Sequence, residues 1–229
     1  MKKILFAIIF AALAASTVTA QEEVPIVEIF GGYSLLKLGA SNDVIRPFQE
    51  GLYSGNGSGW NADDSSFFLS RGVVGSFAIN LDGHFSVVVD ARYNQGDLIK
   101  GSFEFVSPET QLLIRTPLSI GIKNISAMAG PRYSFRKEHT TAFIHALAGL
   151  DYWRLNGDFT VAGKELSEKG NKFGPGIAIG GGFDVNVNEK VAVRVIQADY
   201  YLTRQMERLM NNVNLSFGIV FRVGEKVLR

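Results

Sequence analysis

The chain has 229 residues, with 23 Lys and Arg against 22 Asp and Glu, a formal charge of +1. That balance excludes a nucleic-acid protein driven by bulk charge, and 46% hydrophobic with 20% charged residues excludes a disordered chain. The absence of cysteine removes disulfides, thiolate zinc sites, a Cys nucleophile and a lipidated cysteine.

Residues 1–20 read as a cleaved secretory signal peptide. Lys2 and Lys3 are its positive start, residues 4–13 its apolar stretch, and Val18 and Ala20 its small-residue cleavage site before Gln21. A retained anchor would need about 20 apolar residues, and this stretch is too short. No later apolar run approaches that length. Residues 21–229 are therefore expected to be one domain, either soluble outside the cytoplasm or crossing a membrane as a barrel.

From there the apolar residues recur with the period of two that marks strands, not the three-and-four spacing of helices. First, Val27, Ile29, Tyr33 and Leu35 alternate with Glu28, Gly32 and Ser34. Val73, Phe77 and Ile79 alternate with Gly72, Val74, Ser76 and Ala78. After Asn80-Leu81-Asp82-Gly83, a short turn, Phe85, Val87, Val89, Ala91 and Tyr93 alternate with His84, Ser86, Val88, Asp90 and Arg92. Ile125, Ala127, Ala129, Tyr133 and Phe135 oppose Ser126, Met128, Gly130, Arg132 and Ser134.

A second short turn, Arg136-Lys137-Glu138-His139, precedes Ala142, Ile144, Ala146, Ala148, Leu150 and Tyr152, with His145, Gly149 and Asp151 on the other face. Ile177, Ile179, Phe183 and Val185 oppose Gly176, Ala178, Gly180, Gly182 and Asp184. After Asn186-Val187-Asn188-Glu189, Val191, Val193 and Val195 flank Arg194. The last segment sets Val213, Leu215, Phe217, Ile219, Phe221 and Val223 against Asn212, Asn214, Ser216, Gly218, Val220 and Arg222.

These are eight strands, each of about 10–14 residues by their alternation. Globular strands commonly run about 5–6 residues, whereas a tilted membrane crossing takes about 9–11. The three short turns alternate with longer links over residues 38–66, 95–116, 153–172 and 203–211. Membrane barrels have this asymmetry of short and long connections. The expected fold is all-β, an eight-stranded antiparallel up-and-down transmembrane β-barrel. A short tail, residues 224–229, is expected after the last strand.

In such a barrel the apolar faces meet lipid and the polar faces fill a narrow interior. The inward glycines then leave room for Glu28, Asp90, Arg92, Arg132, Asp184, Arg194 and Arg222, expected to pair as a stacked structural network, with His145 hydrogen-bonded inside. Tyr33, Tyr93, Tyr152, Trp153, Tyr200 and Tyr201 are expected in one lipid-interface girdle, and Phe85, Phe135, Phe183 and Phe221 in the other.

Candidate chemistry is sparse. The run from Gly174 to Gly182 lacks the spacing and the Lys-Ser/Thr of a phosphate loop and sits inside an alternating strand. His84-Phe85-Ser86 puts a histidine and a serine on one expected interior face, an arrangement that would suit an acyl hydrolase. It follows a short turn, however, at the end of the barrel away from the outer leaflet. His139 is expected to be solvated in its turn. The carboxylates Asp63, Asp64, Glu104, Glu165 and Glu168 fall on the longer links, where solvated charge is the default.

With these patterns in hand, the sequence resembles the small eight-stranded outer-membrane barrels, the OmpA-like and outer membrane protein beta-barrel domain families. The resemblance spans residues 25–224. Its most specific part is the last strand, where Ser216, Gly218, Phe221 and Val223 match a terminal assembly signal. The resemblance implies outer-membrane location, contact with outer-membrane lipid and lipopolysaccharide, and handling by periplasmic chaperones and the barrel-assembly machinery. The expected protein is a monomer without catalytic activity, cofactor or nucleic-acid partner. It would have a plugged lumen and four long loops for envelope integrity, adhesion or surface binding. A small passive pore and a lipid A-modifying enzyme are the alternatives.

Overall fold

A computed structural model describes residues 23–37, 59–62, 69–106, 113–161, 164–205 and 208–227. They form nine strands: β1 (Glu23–Lys37), β2 (Gly59–Ala62), β3 (Leu69–Asn80), β4 (Phe85–Val106), β5 (Leu113–Arg136), β6 (Thr140–Val161), β7 (Lys164–Asn186), β8 (Val191–Gln205) and β9 (Arg208–Val227). From β3 to β9 each strand pairs antiparallel with the next, and β1 pairs with both β3 and β9. The ring of eight is therefore closed, and closure removes every sheet edge within the ring. The ninth strand, β2, lies outside the ring against residues 101–104 of β4.

Alternation explains which face goes where. Val87, Val89, Ile125, Ile144, Ile179, Phe217 and Ile219 are exposed on the outer wall, while Asp90, Arg132, Asp184 and Arg194 are buried inside. In water such a wall would be an apolar surface far larger than soluble proteins tolerate. In lipid it is the favourable face. The expected result for Val89→Arg, in the middle of its outward series and 51% exposed, is a loss of about 2–4 kcal/mol in folding stability in bilayers. Urea titration in lipid vesicles checks it, and a loss below about 0.5 kcal/mol would place Val89 away from the bilayer centre.

The short turns are built by side-chain oxygens that accept backbone N–H bonds two and three residues on. Asp82 Oδ1 accepts from the amides of His84 (2.7 Å) and Phe85 (2.6 Å). Asn188 Oδ1 accepts from Lys190 (2.9 Å) and Val191 (2.8 Å). The amide of Phe85, then that of His84, holds the Asp82 carboxyl below the usual carboxylate range.

Four expectations change. First, the strands are longer than their alternation implied: β4 to β7 span 22, 24, 22 and 23 residues. The links expected over residues 95–116 and 153–172 are mostly paired hairpin arms, with Ser102↔Pro117 and Asn156↔Lys169 among their partners. Ile99, Phe103 and Phe105 of β4 pair with Ile120, Thr116 and Ile114 of β5, so a period of two does run on into this hairpin. Second, β9 runs on to Val227 by pairing with Glu23, Val24 and Pro25 of β1. Residues 224–227 are thus part of the barrel wall. Gly224 has φ of 72° between the pairs Pro25↔Glu225 and Val27↔Val223, a conformation that suits glycine.

Third, the alternation of β8 slips. Val195 and Ile196 both face outward, because a β-bulge lies between Arg194 and Gln197. Beyond it Gln197 and Asp199 point inward. Fourth, Trp153 and Tyr201 are buried inside with Leu36, Ile122, Met128 and Leu147, rather than in the girdle. Tyr33 and Tyr200 do face outward, as do Phe85, Phe183 and Phe221.

Candidate functional site

The site is the barrel interior, and its charged groups stack from the short-turn end upward. At the base, Glu28 on β1 receives two guanidinium groups from β5. Arg132 Nη2 donates to Glu28 Oε2 at 2.5 Å and Arg136 Nη2 to Oε1 at 2.9 Å. Asn80 joins them, accepting from both arginines and donating to the Pro25 carbonyl at 2.6 Å. Arg136 had been read as part of a turn, and its guanidinium also donates to the Gly83 carbonyl. Arg222 lies to one side, where it donates to Asn186 Oδ1 (2.8 Å) and Thr141 Oγ1 (3.2 Å).

The next layer is centred on Arg194. Its guanidinium holds Asp184 in a forked pair, Nε to Oδ1 at 2.8 Å and Nη2 to Oδ2 at 3.2 Å, and donates from Nη1 to Gln197 at 2.7 Å. It is also sandwiched between two rings, 4.2 Å from the Phe30 centroid and 4.4 Å from that of Phe143. A desolvated cation on an aromatic face is stabilised by about 2 kcal/mol. These inward phenylalanines need space. A Cβ on Gly182, the partner of Phe143 across β6 and β7, would come within 2.5 Å of that ring.

Above it, Asp199 gathers three partners. Arg92 forms an ion pair with it at 2.6 Å, His145 Nε2 a hydrogen bond at 2.7 Å, and Gln197 Nε2 donates at 2.9 Å. Arg92 also donates to Asp90 Oδ1 at 2.5 Å. The His145–Asp199 bond spans β7 at Gly180, which pairs with both residues and has no side chain to block it. Higher still, Asp151 accepts from Asn124 and Trp153, and Leu36, Ile122, Met128, Leu147 and Tyr201 belong to one buried apolar cluster that also holds Ala78 and Val88 nearer the base.

The expected residues thus fall into separate groups: Glu28 with Arg132, Asp184 with Arg194, and Asp90, Arg92 and His145 around an acid that alternation alone did not find. Asp199 was missed because the bulge shifts its phase by one residue. The local signal was the doublet Val195-Ile196 followed by renewed alternation through Gln197, Ala198, Asp199 and Tyr200. Phe30 and Phe143 were missed because an interior read as polar left no role for them.

His84 and Ser86 do not form the pair that an acyl hydrolase needs. His84 is exposed and stacks on Tyr133, with centroids 5.4 Å apart, while Ser86 is buried and accepts from Arg132 Nε at 3.0 Å. The turn places His84 before the strand proper, so the two side chains part. His139 is exposed in its turn. Glu104, Glu165 and Glu168 stand on β4 and β7 rather than on links, and Asp63 and Asp64 lie outside the described residues. Among the described residues no group of three acidic or histidine side chains could hold a metal.

On β9, Ser216 and Gly218 turn inward and Phe221 and Val223 outward, so the expected assembly motif places polar and small residues in the lumen and apolar ones in the wall. The carbonyl of Gly31 presses so closely on Gly218 that a Cβ there would overlap it.

A closed antiparallel ring with an apolar outer wall and buried ion pairs inside is a membrane-spanning β-barrel. The chain belongs to the outer membrane protein beta-barrel domain family, whose model matches residues 5–222. No curated protein matches the sequence. Among solved structures the chain is similar to Ail, the attachment invasion locus protein of Yersinia pestis, solved with the heparin analogue sucrose octasulfate. The identity is 14% and the TM-score 0.46, over 85% of this chain and 97% of Ail. It is also similar to the outer membrane protein OprG of Pseudomonas aeruginosa, at 12% identity and TM-score 0.41 over 89% and 95%. The outer membrane protease OmpT of Escherichia coli is similar at 8% and 0.43, over 91% and 99%.

Proposed function

We propose that this outer-membrane barrel is a non-catalytic surface protein with a closed lumen. Its binding surface is the set of strand extensions beyond the wall, which serve adhesion, surface binding or envelope integrity. The chain is exported by a signal peptide at residues 1–20, handled by periplasmic chaperones, and assembled through the Ser216-to-Val223 motif. It stands in lipopolysaccharide-containing lipid as a monomer, with the short turns toward the periplasm.

The observation that carries this reading is the filling of the bore. Ionic groups around Glu28, Asp184 and Asp199 share the bore with a buried apolar cluster that includes Leu36, Ile122, Leu147 and Trp153. An eight-stranded barrel has an interior just wide enough for side chains. Away from the short turns, β4 to β7 continue as paired arms, to Val106↔Leu113 and Val161↔Lys164, and β2 adds to them. A stiff ladder presents a more defined binding surface than free loops, because less ordering entropy is lost on contact.

Planar-bilayer recording tests the closed lumen. The purified protein should pass no steady current. A stable open-channel conductance would overturn the reading and favour a passive pore.

A further inference from the structure

The outer wall has a charge pattern of its own. Moving from the short turns upward, each strand of the ring shows an outward apolar series that ends in a polar residue. On β1, β3, β4, β5, β6, β7, β8 and β9 that residue is respectively Lys37, Arg71, Gln95, Lys123, Arg154, Asn171, Arg204 and Asn211. Five are cations and none is acidic. Five strands place theirs in one cross-strand row, since Arg71 pairs with Gln95, Gln95 with Lys123, Lys123 with Arg154 and Arg154 with Asn171; the first three of these border a hollow.

Directly beneath runs Tyr33, Val73, Tyr93 and Ile125, each the register partner of the next. Arg71, Gln95 and Lys123 line one side of a hollow of about 560 Å³ in this wall, with Tyr33, Val73 and Tyr93 below. Arg71 and Lys123 are exposed and make no ion pair among the described residues. The Gln95 carbonyl oxygen is occupied by the Tyr93 hydroxyl at 2.9 Å, so its amide N–H groups are the part left to donate. Asp97, the one acid in the lining, stands one outward position beyond Gln95.

We propose that Arg71, Gln95 and Lys123 bind the phosphate of a phosphorylated glycolipid of the outer leaflet. Its acyl chains lie along Val73 and Ile125. This part of the row supplies two cations and a neutral donor at the boundary where the apolar wall ends, which is where a lipid phosphate sits above its chains. A free anion would use the cations but not the apolar column below. The inference rests on the orientation proposed above, with the short turns inside.

The test uses the full chain in detergent micelles, titrated with diphosphorylated lipid A, the same lipid without its phosphates, and inorganic phosphate. Binding is read by native mass spectrometry. The phosphorylated lipid should bind, the dephosphorylated lipid should bind about tenfold more weakly, and the Arg71→Gln/Lys123→Gln variant should lose about tenfold in affinity. Arg204→Gln, on β8 at the opposite wall, should leave binding unchanged. Arg71→Lys/Lys123→Arg should retain it. Equal binding of both lipids, equal competition by inorganic phosphate, or an unaffected double variant would each overturn the proposal. The comparison of the two lipids on the unmodified chain stands even if a variant fails to fold.

Orientation is read separately. Because the chain has no cysteine, single cysteines at Gly101 and Glu189 report sidedness to an impermeant maleimide on intact cells. Gly101 should label and Glu189 should not. The reverse pattern would overturn both the orientation and the outer-leaflet assignment, whereas lipid results can fail with orientation intact.

Discussion

Replacing Asp199 with alanine should lower the stability of the barrel by about 3–5 kcal/mol, the effect of leaving buried charges without their partner. Asp199 is 1% exposed and holds Arg92, His145 and Gln197 at once. Without it, Arg92 keeps Asp90 alone, and His145 on β6 loses its hydrogen bond to β8. Asp199→Asn keeps the shape and one acceptor, and should lose less. Urea titration from lipid vesicles, with heat-modified gel mobility as a second readout, measures both. A loss under about 1 kcal/mol for Asp199→Ala would mean that water replaces the carboxylate and that the layer is not dry.

The second large effect is expected at Gly180. A Cβ there would overlap Asp199 Oδ1 and the Ala198 carbonyl. One obstacle is a side chain that can turn away, but the other is backbone and cannot. Gly180→Val should therefore prevent β7 and β8 from pairing in their register and abolish the heat-modifiable folded form. Overpacking ordinarily costs about 1–3 kcal/mol, and this site exceeds that because the neighbouring strand itself must move. Gly31, with nothing within 4 Å of its Cβ position, supplies the contrast: Gly31→Val should fold. Equal folding of the two variants would show that β7 has room to shift.

Much of this architecture is legible in the sequence because a membrane barrel exposes its pattern twice. Val213 to Val223 alternates without a break, and its partner β1 does so from Val27 to Leu35. Asp82 and Asn188 mark turns because their side chains substitute for backbone acceptors. Three things stay hidden for physical reasons. The period of two that β4 and β5 keep in Ile99, Phe103, Phe105, Ile114, Leu118 and Ile120 is hidden among Gly, Pro, Ser and charged residues that read as a loop. A single extra residue at Val195-Ile196 reverses the parity of everything after it in β8, and so concealed Asp199. The inward Phe30 and Phe143 obey packing with neighbouring glycines and a guanidinium, a three-body condition that no period of two encodes.

The ring closes between its first and last strands, where Glu23 meets Val227 and Lys37 meets Val213. The two halves of that seam lie almost the whole chain apart, so its contacts have the highest sequence separation in the molecule. Until β9 has been made and delivered, β1 is an open edge able to pair with any other chain. Closure is therefore late, slow and all-or-none, and a chain cut short before β9 has no smaller barrel to fall back on. For that interval the chain carries a pairing edge that the finished wall does not have, quite apart from the wall's own stability.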